Sequence, residues 1–197
     1  MKTRRDILAT GIATLGLSAM PAFAQTTETA AASPEADPFA PRIVQLETIL
    51  APGEIHVDPN SFALYWTLED QRAIRYSVGI GRPGLYESGI FTVGAKKEWP
   101  SWTPTPDMIA REPEQYALYA DGMPGGPDNP LGARALYLFT AAGADTYLRI
   151  HGTNAPGTIG TAVSNGCARL INAHMIDLYN RVPLQTRVVL YDKVTGA

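Results

Sequence analysis

Between residues 55 and 80 apolar side chains recur at every second position, the period of a strand with one buried face. Residues 55–58 read Ile-His-Val-Asp, and in 62–68 Phe62, Leu64, Trp66 and Leu68 share a face. Ile74, Tyr76, Val78 and Ile80 follow, with Arg75, Ser77 and Gly79 opposite them. Asp58-Pro59-Asn60 and Glu69-Asp70-Gln71 supply polar turn residues between the runs, so the pattern predicts an antiparallel meander with one wet face. The alternation stops at Gly94. From there to Gly132 the chain is dense in Pro and Gly, with Trp99 and Trp102 among them and room for one short helix over 108–114, ended by Pro113. So long a connection in a compact domain usually walls or covers a cleft. Strands resume over 136–139 and 146–150. Residues 172–181 (NAHMIDLYNR) have helical spacing, with Asn172 as the expected N-cap and Pro183 as the stop, and 187–191 form a last strand. The expected architecture is mainly β with short helices, in one domain.

The ends of the chain add a compartment. Lys2, Arg4 and Arg5 precede an apolar run from Ile7 to Leu17, and Ala22-Phe23-Ala24 has the small residues of a cleavage site. Residues 1–24 therefore read as an export signal cleaved before Gln25. The Arg4-Arg5 pair resembles a twin-arginine signal. The run is short for a bilayer span, so no permanent membrane span is expected. Residues 25–40 hold few large apolar side chains and read as a flexible tether, leaving 41–197 as the domain. Without residues 1–24 the chain carries 13 basic and 18 acidic side chains, a net charge of −5. An acidic chain without a Lys/Arg cluster offers no footprint for nucleic acid, nor for an anionic membrane surface.

Cysteine usage turns the reading towards chemistry. An exported protein usually pairs its cysteines, yet this chain has one, Cys167. Count alone leaves it open between a nucleophile and a small buried apolar residue. Its surroundings are richer: His151 follows a strand, Gly152, Gly157, Gly160 and Gly166 loosen the turn, and Arg169 lies two residues beyond the thiol. A free thiol is only a few per cent ionised at neutral pH, and a neighbouring imidazole can take its proton. The N–H groups of Gly166 and Cys167 could hold an oxyanion, and the fork of Arg169 suits a carboxylate. His56 and His174 are not candidates for chemistry: the first has no partner nearby in sequence, and the second reads as a solvated or capping side chain. One Cys and three scattered His lack zinc spacing, and neither a metal nor an organic cofactor is indicated. In papain-like order the Cys lies far upstream of the His, whereas here the His comes first.

The run H-G-T-N-x5-G-x3-S-x-G-C-x-R-L resembles the signature of the L,D-transpeptidase (YkuD) catalytic domain. Trp102-Thr103-Pro104-Thr105-Pro106, the run Pro124-Gly125-Gly126-Pro127-Asp128-Asn129-Pro130-Leu131-Gly132, and Leu178-Tyr179-Asn180-Arg181-Val182-Pro183 resemble its ErfK/YbiS branch. The likeness spans nearly all of 50–192. It implies a β-sandwich and a ping-pong acyl transfer on peptidoglycan stem peptides in the periplasm. Cys167 would be acylated by a tetrapeptide donor, D-Ala would leave, and an amine of another stem or of a wall-attached envelope protein would resolve the thioester. His151 would be the base, oriented by the carbonyl of Gly152. Ser164, Asn165 and Gly166 would line the approach, and Arg169 would bind a substrate carboxylate or shape the Cys loop. Carbapenems would acylate the same thiol. Ala168 and Gln185 depart from the family pattern, where Ile or Val and Gly are usual, without removing a reacting group. Two other readings keep the same residues: an L,D-carboxypeptidase that lets water take the acyl group, and an inactive wall-binding protein.

Overall fold

The alternating runs become the strands Ile55–Asp58 (β2), Ala63–Thr67 (β3) and Arg72–Ser77 (β4), preceded by Arg42–Gln45 (β1), which the period of two did not mark, in a computed structural model that describes residues 37–194. The expected export signal and most of the expected tether lie outside the described residues. The last four residues of that stretch, 37–40, form a turn in which Ala40 N–H donates to the Asp37 carbonyl (3.0 Å). Next come Ile80–Gly81 (β5), Gly89–Glu98 (β6), the short helices Pro106–Arg111 (α1) and Pro113–Tyr116 (α2), and Arg134–Phe139 (β7). Asp145–His151 (β8), Ala162–Ser164 (β9), Ala168–Arg169 (β10), helix Asn172–Arg181 (α3) and Arg187–Leu190 (β11) complete the order.

Nine strands join in the order β1-β4-β3-β2-β11-β6-β7-β8-β10, and β5 pairs with β9 apart from them. Within the nine, β2 with β11 and β8 with β10 run parallel and the other pairs antiparallel. β2, β3 and β4 form the meander expected from the period of two. Gly79, just beyond β4, exchanges backbone bonds with Arg169 of β10 (2.9 and 2.8 Å), so one end of the strand order curls round to meet the other. The enclosed core draws Leu64 and Tyr76 from the meander, Leu136 and Ile150 from β7 and β8, and Met175 and Leu178 from α3, all fully buried. Tyr76 keeps its hydroxyl satisfied there by donating to Asp177 of α3 (2.6 Å). Among the described residues no helix is long and apolar enough to cross a membrane.

Several elements differ from the expectation for identifiable reasons. Strand β6 occupies what looked like the start of the long loop, because its pattern is broken by Gly94 and by the charges of Lys96 and Lys97. Gly94 sits at a register shift against β7, where a Cβ would come 2.4 Å from the Phe139 ring. Lys96 turns inward and donates to the carbonyls of Tyr179 and Val182 (2.6 Å each), closing the C-terminus of α3. The single helix expected over 108–114 is two helices. Thr105 caps the first by accepting the Met108 N–H (3.2 Å), and Pro113 opens the second instead of ending the first. Helix α3 has the expected bounds, but Asn172 is its first residue and not its cap; Ile171 stands at the cap without a side-chain bond. His174 is buried, not solvated, with Nε2 3.0 Å from Asp37. His56 is buried too, between the Tyr191 hydroxyl (2.9 Å) and the carboxylate of Glu54 (3.1 Å), which stands only two residues back, so the expectation of no partner nearby in sequence does not hold.

The burial pattern makes a stability prediction. Leu178→Ala, which empties a fully buried site on α3, should cost about 2–5 kcal/mol. Leu118→Ala, at a side chain 83% exposed, should stay within about 0.5 kcal/mol. Urea unfolding of the two variants measures the contrast.

Candidate active site

Strand β8 ends in His151, and β10 pairs beside it in parallel with Arg169 opposite His151 and Ala168 opposite Ile150. Successive side chains of a strand point to opposite faces. Ile150, Leu148 and Ala168 take the core side, so Tyr147, Arg149, His151 and Arg169 share the other, and Cys167 joins them one residue before β10. The edge formed by β8 and β10 thus places His151, Cys167 and Arg169 on one face. That face is the floor of a cleft of about 1170 Å³. Its far wall is the Pro/Gly-rich segment, which presents Trp102, Met108, Tyr116 and Tyr119. Trp102 packs against Tyr116 and Tyr119 at centroid distances of 6.1 and 5.9 Å, so this wall is built as an aromatic cluster.

His151 is almost fully buried, and its Nδ1 lies 2.6 Å from the Gly152 carbonyl. A carbonyl can only accept, so the proton belongs on Nδ1, leaving the Nε2 lone pair free to take one. Burial is the largest influence on the ring and pushes its pKa down to about 4. The carbonyls of Gly152 and Leu131 resist that shift, and the charges of Arg169 and Arg149 add to it. The Cys167 thiol is pushed up, again by burial first, with Arg149 and Arg169 working the other way. Sγ approaches the Tyr147 carbonyl at 3.9 Å, and it makes no hydrogen bond to the imidazole. Thiol and imidazole are therefore both uncharged near neutral pH, and both line the cleft.

The Cys loop is held from both sides. Ser164, buried, donates to the Cys167 carbonyl (2.7 Å). Gly166 adopts φ +119, a region that favours glycine, where a Cβ would also come 2.9 Å from the Leu85 carbonyl. Among the described residues the N–H groups of Gly166 and Cys167 donate to no protein acceptor. Asn165 lies at the cleft, and its amide joins the loop to the far wall: Arg111 donates to Oδ1 (2.6 Å) and Nδ2 donates to the Tyr116 hydroxyl (2.8 Å). Glu112 holds Arg82 and Arg111 from the same wall, and the two guanidinium groups keep its carboxyl below the usual range. Arg169 lines the cleft with Nε and Nη2 buried and without a protein partner among the described residues. Its guanidinium lies against Gly79, where any Cβ would sit 3.0 Å from Nη2.

Three contributors escaped the sequence reading. Arg149 grips both oxygens of Asp145 (2.7 and 2.8 Å) and lies 4.0 Å over the Tyr137 ring, beside the thiol. Tyr147 holds φ +60, unusual for an aromatic residue, with its N–H bonded to Asp145 Oδ1 (2.8 Å) and its ring 72% exposed in the cleft. The third is the set of wall residues Arg111, Glu112 and Tyr116. Stepping back by two from His151 along its strand would have found Arg149 and Tyr147; nothing local to the signature announces the wall.

Comparison gives this mostly β domain, with its cleft floor, aromatic wall and buried imidazole, a family. The chain belongs to the YkuD family, the L,D-transpeptidase catalytic domain, whose family model matches residues 52–190. It is 34% identical over 173 residues to the probable L,D-transpeptidase ErfK/SrfK of Escherichia coli, covering 82% of this chain and 54% of that protein. The chain spans about half the length of the curated relatives it matches. Among solved structures, a Brucella melitensis protein described as a probable carnitine operon oxidoreductase is 48% identical, with TM-score 0.54 and coverage of 79% of this chain and 95% of that one. An L,D-transpeptidase from Mycobacterium smegmatis, at 17% identity and TM-score 0.51, shares the fold over 70% of this chain and 58% of its own.

The electrostatics predict a pH profile. A thiol with a raised pKa gains thiolate only as pH rises, and an imidazole titrating near 4 is already neutral from pH 5 upward. Alkylation of Cys167 by iodoacetamide in the free protein should climb steadily from about pH 6 to pH 9. A plateau across that range would mean a preformed thiolate–imidazolium pair instead.

Proposed function

We propose that this protein is an L,D-transpeptidase of bacterial peptidoglycan, working in the periplasm, with Cys167 as nucleophile and His151 as general base. One observation carries the assignment of roles. On a YkuD domain, the only thiol of the chain shares a cleft floor with a buried imidazole whose Nε2 is left basic by the Gly152 carbonyl.

Sγ attacks the carbonyl carbon of the L,D amide after the third residue of a donor tetrapeptide, and its proton passes to His151 Nε2. The developing oxyanion meets the unengaged N–H groups of Gly166 and Cys167. Collapse breaks the C–N bond, and D-Ala departs as His151 returns the proton to its amine. An acceptor amine then attacks the thioester while His151 takes the amine's proton, and the thiolate leaves and is reprotonated. The acceptor is a second stem peptide or the side-chain amine of an envelope protein. Arg169, with two buried donors lacking partners, suits a carboxylate of the stem. Ser164 and Gly166 serve by shaping the Cys loop, and Asn165 borders the approach while tied to the wall.

Incubation with purified disaccharide-tetrapeptides tests the reading by mass. Dimers that have lost one D-Ala are expected; tripeptide monomers alone would assign the acyl group to water, and no turnover would leave a wall-binding protein. Cys167→Ala should abolish the reaction with the fold intact. His151→Ala should slow it by about 10²–10⁴-fold, the range of a lost general base, and should slow Cys167 alkylation near neutral pH. A carbapenem should add once, at Cys167, in the intact mass.

A further inference from the structure

The imidazole is oriented by a carbonyl, and that carbonyl needs a direction of its own. Gly152 O belongs to the same peptide group as the Thr153 N–H. In a trans peptide the two point opposite ways, so whatever fixes one fixes the other. The Thr153 N–H donates to Asn172 Oδ1 (3.1 Å), and the same oxygen accepts the Ala133 N–H (3.0 Å). On the opposite side of that peptide, Gly152 O receives His151 Nδ1 at 2.6 Å. Three groups therefore stand in line: the Asn172 amide oxygen, the Gly152–Thr153 peptide and the imidazole.

Space for this line comes from two glycines. A Cβ on Gly152 would sit 2.1 Å from Asn172 Oδ1, and one on Gly132 would sit 2.3 Å from the same atom. Gly132 also holds φ +63, where side chains are disfavoured. The glycines admit the amide between the segment before β7 and the turn after β8. Asn172 itself opens helix α3, whose Met175 and Leu178 are anchored in the core, so the amide is presented from a rigid base. This accounts for its absence from the cap, because its side chain turns away from its own helix. It does not border the cleft, and a direct contact with substrate is not its part.

We propose that Asn172 is a positioning residue that fixes the tautomer and ring orientation of His151 through the Gly152–Thr153 peptide. The proposal rests on His151 being the base of the reaction. A positioned base matters because displacing a reacting group by about 1 Å can cost on the order of 100-fold in rate. The groups around the ring that would act on it once the strap is altered are the charges of Arg149 and Arg169 and the carbonyls of Gly152 and Leu131.

The test compares wild type with Asn172→Ala, Asn172→Asp and His151→Ala, using D-Ala release from a disaccharide-tetrapeptide and ¹⁵N shifts of the His151 ring. Asn172→Ala should lower kcat about 10- to 100-fold with KM little changed, and should replace a pure Nδ1–H tautomer by a mixture. Asn172→Asp keeps an oxygen acceptor for both N–H groups and should restore most of kcat and the tautomer. Its negative charge favours the imidazolium, so the acid limb of the rate should move to higher pH. An unchanged tautomer in Asn172→Ala overturns the proposal, as does a loss of kcat that follows the melting temperature and is not restored by Asp. If His151→Ala turns over as fast as wild type, the base assignment fails instead, while the ring shifts still report whether Asn172 governs the imidazole.

Discussion

The two-residue strand β10, laid parallel along the end of β8, is the constraint on which the site depends. It is the shortest strand of the large sheet and its terminal member, and it sets which way the thiol faces. A shift of one residue in that pairing would turn Cys167 and Arg169 into the core and bring Ala168 out to the cleft. Gly79 secures the register from the other side by bonding both polar groups of the Arg169 backbone. The meander, the curl of the sheet and the packing of α3 all serve to bring Gly79 to that place.

Around this edge, burial settles the electrostatics. The same exclusion of water lowers the basicity of His151 and raises the pKa of Cys167, so that neither carries charge at rest. A neutral pair protects the thiol from oxidation, which proceeds through the thiolate. In the proposed reaction it also makes nucleophilicity depend on what enters the cleft: a bound carbonyl and its developing charge give the N–H groups of Gly166 and Cys167 the acceptor that no protein group among the described residues supplies. Arg149 and Arg169 supply cationic surroundings for that charge while lying on the same strands as the reacting groups.

Much of this was legible in the order of residues. The meander, the bounds of α3 and the strand that delivers His151 follow from periodicity, and the glycine-rich run between His151 and Arg169 marked the candidate site. What stayed hidden depended on tertiary partners. Strand β6 reads as a loop because Lys96 is charged, yet its ammonium closes a helix by binding carbonyls 83 and 86 residues further along. Asn172 reads as a cap because its residue type caps helices, yet two distant N–H groups claim it. His174 reads as a bystander because its partner Asp37 is remote in sequence; so is the Tyr191 that His56 meets, although its other partner, Glu54, is only two residues away. The ties from Asn165 to Arg111 and Tyr116 cross from one half of the domain to the other, and no local pattern encodes such a crossing.

Tyr147 carries a consequence for redesign. Its backbone is held in a left-handed conformation by Asp145 and aims its carbonyl at the thiol, while its ring projects into solvent and supports little of the core. The main chain and the side chain at this position are thus separable: the first belongs to the nucleophile's surroundings, the second to the open cleft. Glycine or asparagine would accept the same backbone with less strain, and a different ring would alter the surface that a visiting chain meets. Under the proposed function, position 147 is where the choice of acyl donor can be retuned while the folding of the domain is left alone.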